Sequence, residues 1–435
     1  MALRVNLTET QKMTEKLLQF IWHQQYFNKE DLHTEGLISQ SVQVLTPGIF
    51  NTNQGPDFLD GRIKIGSQVW AGNVELHVKA SDWDKHGHEQ DLNYQSVVLH
   101  VVWINDLNHD VYHPPMISLE SRVPGLLLKQ YGEWMMSPSF IPCGSRITDV
   151  SELVWTKWKE RLVVERLEHK TAGVYDYLKE ANNHWEEVLW WMIAVNFGIT
   201  VNKEVFGLVA KTLPIALIER HKTQINQLEA LLFGQAGLLS GKFTEAYPVM
   251  LKKEYQFLKK KFGLRQVFAP VHFLRMRPVN FPTVRLAQLA ALLHQSDRLF
   301  SKLLVAGRVV ELRKLFDVTA NDYWHYHYRF GETTPYLPKR IGAQMIDNII
   351  VNTVIPVVFA YGRYHSDDAV TDKVFHWLDM LAAEKNRVTT RFYATGIRSV
   401  NAFDTQALHQ LKTRYCDEKR CLACAVGNSL LKSSD

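Results

Sequence analysis

Apolar residues recur at helical spacing near the start of the chain, with Leu17, Leu18, Ile21 and Trp22 on one side of an expected helix, and the period then changes. Val42-Gln43-Val44-Leu45 runs into a Pro47-Gly48 turn, Arg62-Ile63-Lys64-Ile65 alternates, and Val69 to Lys79 alternates over a longer stretch. Val97 to Ile104 is apolar almost throughout, as a central strand covered on both faces would be. The pattern predicts a helix followed by a mixed sheet, an α/β core over residues 1–150. Ser81 to Tyr94, between the last two strands, has room for a short helix. Pro114-Pro115, Pro124-Gly125, Pro138 and Pro142 mark an irregular exit from the core.

From residue 151 to 411 the signal is helical, as in Trp155 to Leu162 and Glu186 to Phe197, with stops at Gly198, Pro214, Gly237, Gly263 and Pro278. No repeat of fixed period stands out, so a packed helical domain is expected, followed by a short tail over 412–435. A length of 435 residues fits two or three domains. The most apolar run, Ile349 to Tyr361, contains Asn352 and Pro356 and is too short to span a bilayer. It reads as a buried helix or strand pair, and no membrane partner is expected. Met1 to Gln11 is polar and no basic-then-apolar leader opens the chain, which points to the cytoplasm. The pattern is silent on oligomeric state.

Charge changes the picture locally. The formal net charge of +5 is small, yet between Lys252 and Arg285 the bases Lys252, Lys253, Lys259, Lys260, Lys261, Arg265, Arg275, Arg277 and Arg285 face the single acid Glu254. Tyr255, Phe257, Phe262, Phe268, Phe273 and Phe281 interleave them, as where bases stack between cationic contacts. DNA or RNA is the expected partner, with Lys259, Lys260, Lys261, Arg275, Arg277 and Arg285 as contacts. A solvated helix face with its aromatics in the core produces the same pattern.

Three groups of residues carry candidate chemistry. On a strand through Val74 to Lys79, Glu75, His77 and Lys79 project one way and Val74, Leu76 and Val78 the other. If the segment from Asp57 to Ile65 pairs with that strand through the Gly66-Ser67 turn, Asp57 approaches Glu75, and two carboxylates suit Mg²⁺ or Mn²⁺ in phosphoryl transfer. An ordinary solvated strand face alternates in the same way. His77, His86, His88, His100 and His113 lie near these acids in sequence. Imidazole with carboxylate suits Zn²⁺, Mn²⁺ or Fe²⁺, which keeps open a hydrolase for a small substrate. The third group is Cys143, Cys416, Cys421 and Cys424, the chain's four cysteines, three of them within nine residues. Four thiolates suit an Fe–S cluster or one zinc; ordinary free thiols are the plainer alternative.

Gly55-Pro56-Asp57-Phe58 heading one strand, Val74-Glu75-Leu76-His77 in the next, a helix ahead and an apolar strand behind resemble the core of the PD-(D/E)XK nuclease superfamily. That resemblance implies a restriction-endonuclease-like fold and a metal-dependent phosphodiesterase acting on DNA or RNA. By position, Asp57 and Glu75 would be the metal ligands, His77 would stand in the usual Lys place, and Glu15 would be the extra acid some members use. A neutral His stabilises phosphate charge poorly but accepts a proton from water, and Lys79, one pleat further, could supply the missing cation. A catalytically inactive nucleic-acid-binding or scaffolding protein is the alternative. Across nearly the whole chain, Pro47 to Phe58, Gly72 to His77, Asp82-Trp83, Leu99 to Val102, Glu229 to Gly237, Arg275 to Arg285 and the terminal cysteines resemble an uncharacterised bacterial family, DUF2851. That resemblance implies no activity by itself.

Overall fold

The structure is a computed structural model and describes residues 13–107, 114–265, 267, 269–274 and 276–432. His113, Phe268 and Arg275 therefore lie outside the described residues. The chain divides into two compact units: residues 1–158 with 390–398 and 409–435, and residues 159–389 with 399–408. The C-terminal stretch, expected as a separate tail, thus belongs to the first unit.

In the first unit, helix α1 (Glu15–Gln24) opens where the Thr14 hydroxyl accepts from the Leu17 N–H at 3.3 Å, and it ends at Gln25, whose φ of 57° is left-handed. Leu17, Leu18, Phe20, Ile21 and Trp22 are buried along it. A mixed sheet follows, built from β1 (Val42–Thr46), β2 (Ile49–Phe50), β3 (Phe58–Ile65), β4 (Gln68–Lys79), β5 (Val97–Ile104) and β6 (Met116–Ser118). Its order is β1-β3-β4-β5-β6, with β2 pairing β3. Strands β3 and β4 form an antiparallel hairpin closed between Ile65 and Gln68, where Gly66 takes the positive φ the turn requires. Strands β4, β5 and β6 run parallel, so β4 must be joined to β5 by a crossover. That crossover holds helix α2 (Asp82–Lys85) and two 3₁₀ turns, His88–Gln90 and Leu92–Tyr94. Helix α3 (Gly125–Met136) follows β6.

Register decides which side chains share a face. Phe58 pairs with Val74, Val74 with Leu99, and Leu76 with Val101, and all five are completely buried on one side. Glu75 pairs with His100 and His77 with Val102, so Glu75, His77 and His100 lie together on the other side. A solvated face is ruled out for them: Glu75 is 5% exposed, His77 2% and His100 0%. The alternation of β4 marks two covered faces, one apolar and one polar.

The second unit is predominantly helical. Helices Ile225–Gln235 and Ala246–Phe262 pack closely because Gly234 lies under the Tyr255 ring, where a Cβ would come within 2.1 Å of a ring carbon. A two-stranded hairpin, His327–Arg329 with Glu332–Thr333, interrupts the helices, although the sequence showed no alternation there. Two strands this short cannot display a period. The apolar run forms one continuous helix over Ala343–His365, and 67% of its most apolar window is buried. At 23 residues the helix is long and apolar enough to cross a membrane by length and composition, unlike the shorter run expected, and its burial is that of a core helix. A π turn over Ile350–Val354 lies one residue ahead of Pro356, which cannot donate a helical hydrogen bond.

Candidate metal centre

The polar face of β4 is where three separate parts of the chain converge. Asp57, just ahead of β3, stands opposite Glu75 in the antiparallel register, and its backbone N–H donates to Glu75 Oε2 at 3.0 Å. The Asp57 carboxylate accepts from the Leu76 N–H at 3.1 Å and from Gln19 Nε2 at 2.8 Å. Gln19 also donates to Glu15, one helical turn earlier, at 3.3 Å, so α1 brings a third acid close to the pair. The expected approach of Asp57 to Glu75 is present in the structure.

The crossover supplies the imidazoles. His86 and His88 flank Gly87, whose φ of 70° lets the chain turn between them. His77 Nε2 lies 3.2 Å from His86 Nδ1, 3.3 Å from His88 Nε2 and 3.5 Å from Glu75 Oε1, and His88 Nε2 is also 3.5 Å from Glu75 Oε1. The three imidazole nitrogens all fall within 4.8 Å of one another. On the far side of its ring, His77 Nδ1 is 2.9 Å from His100 Nε2. A proton on Nδ1, donated to His100, leaves the Nε2 lone pair directed at the cluster, the orientation a metal-binding imidazole takes. Trp83 stands edge-on to His88 with ring centres 5.3 Å apart, and Tyr94 stacks on His88 at 3.8 Å, fixing the ring planes.

The electrostatics are those of a site short of positive charge. Burial, then repulsion from Glu15, pushes the Asp57 carboxyl up to about 7. Burial, then the charge of Asp57, pushes Glu75 up to about 8. Burial, then His88 and His86, drives His77 down to about 3, so its imidazole is neutral at physiological pH. His88 is lowered for the same reasons, burial and then His86. A divalent cation answers both needs, since it favours ionised carboxylates and neutral imidazoles together. The spacing also fits: four ligands about 2.0–2.1 Å from a tetrahedral ion are separated by about 3.3–3.4 Å, close to the distances above. His77 and His88 are buried while His86 is exposed and Asp57 half-buried, which leaves the cluster open to solvent on that side.

Other expected residues fall elsewhere. Lys79 is exposed beyond the cluster, and its backbone N–H donates to Asp82 Oδ2 at 3.2 Å. Lys260, Lys261 and Arg277 are exposed and Lys259 half-exposed in the second unit. Arg285 departs from the expected surface role: it is 8% exposed, and its guanidinium donates to Gln288 at 3.0 Å and Asn280 at 2.5 Å. It sits in the first turn of helix Pro282–Gln295, where helical periodicity turns it inward. The four cysteines are gathered within the first unit. Gln19 and Tyr94 were not singled out from the sequence, and Trp83 only as part of the family resemblance, although the four-residue spacing of Glu15 and Gln19 on α1 was a usable signal for the first.

An N-terminal helix, a mixed sheet with a His/carboxylate cluster on one face, and a helical second unit define the class of this protein as an α/β domain joined to a helical one. The chain belongs to the family described as a protein of unknown function (DUF2851), whose model matches residues 15–387, from the first residue of α1 through nearly all of the second unit. No curated protein and no solved structure matches the chain.

Proposed function

We propose that the first unit is a metal-dependent phosphodiester hydrolase of nuclease type, acting on DNA or RNA. The observation that carries this reading is the convergence of Asp57, Glu75 and three imidazoles on one partly open face of β4. Glu75, His77, His86 and His88 would hold the cation, with Asp57 as the neighbouring second carboxylate. The nuclease resemblance is supported by the arrangement around them: a helix, an antiparallel hairpin with the Asp at its open end, Glu-Leu-His on the second strand, and a parallel crossover to the next strand. His77 does not substitute for a Lys as a cation, because burial keeps it neutral. Its fitting role is to bind or position, and Asp57, the carboxylate beside the ligand set, is placed to accept a proton from an attacking water.

The nitrogen-rich donor set favours Mn²⁺ or Zn²⁺ over Mg²⁺, which takes oxygen ligands and octahedral geometry. The same observation favours a second reading, a His/carboxylate metal hydrolase for a small ester or phosphate. The test is cleavage of single- and double-stranded DNA and RNA by metal-stripped protein resupplied with Mn²⁺, Zn²⁺ or Mg²⁺. Cleavage restored by Mn²⁺ or Zn²⁺ and lost in Asp57→Asn and Glu75→Gln supports the nuclease reading. Turnover of small esters with every polynucleotide left intact transfers the assignment to the second. Inertness toward both classes, in protein that binds the metal, sinks the hydrolytic proposal.

A further inference from the structure

Away from the β4 cluster, the first unit gathers every cysteine of the chain into one place. Cys143 lies in the turn after α3, between Pro142 and Gly144, where its carbonyl accepts from the Arg146 N–H at 3.1 Å. Cys416 closes a π turn (Lys412–Cys416), Cys421 opens a 3₁₀ turn (Cys421–Ala423), and Cys424 immediately precedes the C-terminal helix Ala425–Lys432. That helix packs against α3 and against the 3₁₀ turn Ile147–Asp149, the two elements flanking Cys143. A contact at the helix start fixes the closeness: a Cβ on Gly427 would fall 2.4 Å from the Cys421 carbonyl oxygen, so only glycine lets the helix settle there. The Tyr415 ring meets Trp158 edge-on at 5.1 Å, closing the same region.

Cys143, Cys421 and Cys424 are 7%, 6% and 6% exposed, and all four thiols are free. Burial first, then the other thiolates of the group, holds Cys143 and Cys416 above the usual thiol range.

Spacing distinguishes the two kinds of centre that four thiolates hold. A single tetrahedral zinc, with Zn–S near 2.3 Å, draws its sulfurs to about 3.8 Å apart. Among the described residues, the group whose ligand atoms all lie within 4.8 Å is the histidine one, and no three of these sulfurs are that close together. A cubane with an iron behind each thiolate holds the sulfurs wider, at about 6 Å. We propose that Cys143, Cys416, Cys421 and Cys424 ligate an iron–sulfur cluster of the [4Fe–4S] type, which clips the C-terminal segment to the turn after α3. This site is independent of the hydrolase reading and stands or falls without it.

The experiment is purification of the full chain under strict exclusion of oxygen, followed by absorbance spectroscopy and assays of iron, zinc and acid-labile sulfide. The expected result is a broad band near 400 nm with about four irons and about four sulfides per chain. Cys421→Ser and Cys143→Ser should each lower the iron and acid-labile sulfide content at least fivefold. Should a serine variant fail to fold, the metal and sulfide content of the wild-type protein decides the matter. One zinc per chain without sulfide overturns the proposal, as do four thiols that react freely in metal-free native protein.

Discussion

Among the described residues two glutamates are buried, one in each unit, and they differ in what surrounds them. Glu75 is 5% exposed and Glu229 0%, and burial raises both, to about 8 and about 7. Around Glu229 stand donors: the Tyr247 hydroxyl reaches its Oε2 at 2.5 Å and Trp324 Nε1 at 3.2 Å. Around Glu75 stand another carboxylate and imidazole nitrogens that are largely uncharged. The first arrangement satisfies one oxygen and leaves Glu229 Oε1 buried without a hydrogen-bond partner, a place for a single proton, whereas the second gathers the lone pairs of several groups, which a cation can reconcile. A perturbed buried acid is therefore weak grounds for a site, and the hydrogen-bonding character of its neighbours is what separates structural from functional burial. Glu229 ties helix Ile225–Gln235 to Tyr247 in the first turn of helix Ala246–Phe262, which is a packing role.

The largest expected effect breaks or upholds this contrast directly. Glu75→Gln removes an anionic ligand, so affinity for Mn²⁺ or Zn²⁺ measured by calorimetry should fall at least about 100-fold. Any hydrolysis should fall by about three orders of magnitude. Glu229→Gln keeps an oxygen that accepts from Tyr247 and Trp324, so metal affinity should stay within twofold and stability within about 1 kcal/mol. Equal effects of the two substitutions on metal binding would show the comparison to be mistaken.

A second effect, of a few degrees in melting temperature, depends on pH. An acid whose pKa is raised by folding holds a proton that the unfolded chain has released, so stability falls as pH rises from its unfolded value through its folded one. For Glu229 that loss is nearly complete by about pH 7, whereas for Glu75 it continues to about pH 8. His77 and His88 act in the opposite sense but only below their unfolded value near 6.5, because lowered imidazoles resist protonation in the folded state. Between pH 7 and 8.5 Glu75 therefore takes stability from the metal-free protein as pH rises, against the opposite contribution of Lys170, whose amine burial lowers to about 7. Glu75→Gln or added Mn²⁺ should shift the slope of that part of the curve toward stability rising with pH, and Glu229→Gln should leave the slope in place. Melting curves at closely spaced pH values, after chelation, read this out.

Much of the β4 site was legible because strand geometry is strict: the Gly66 turn fixed the hairpin, the hairpin placed Asp57 opposite Glu75, and period two put His77 beside them. What the sequence did not convey was burial of that face. Alternation reports two different faces and says nothing about what covers the polar one, here α1 and the crossover. His86 and His88 could be placed near the acids only in sequence, because their approach in space depends on the φ of one glycine and on a ring stack between Tyr94 and His88. Arg285 failed differently, since composition marked a basic stretch but not which of its residues turned inward. The helical unit was legible in kind, while its short hairpin was too brief to show any period.

The smallest expected effect asks whether the second unit does anything beyond packing. Helix Ala246–Phe262, fixed at its start through Tyr247 and Glu229, ends with Lys259, Lys260 and Lys261, and Phe257 is 59% exposed with the Lys261 ammonium 5.7 Å from its ring centre. Lysines in a last turn also favour the helix dipole, so their presence alone does not require a ligand. An exposed phenylalanine beside them is harder to account for by solubility and suits a base stacked between cations. If the helix grips nucleic acid, replacing the three lysines by alanine should weaken binding several-fold at low salt. The slope of log affinity against log salt should also become shallower by about 1–3, because each phosphate contact contributes about 0.9. Phe257→Ala should lower affinity with little change in that slope, since stacking releases no counterions. Metal affinity at Glu75 should be the same in all these variants. An unchanged salt slope in the triple variant would return the helix to the structural category in which Glu229 already stands, leaving the cluster on β4 as the functional half of the contrast.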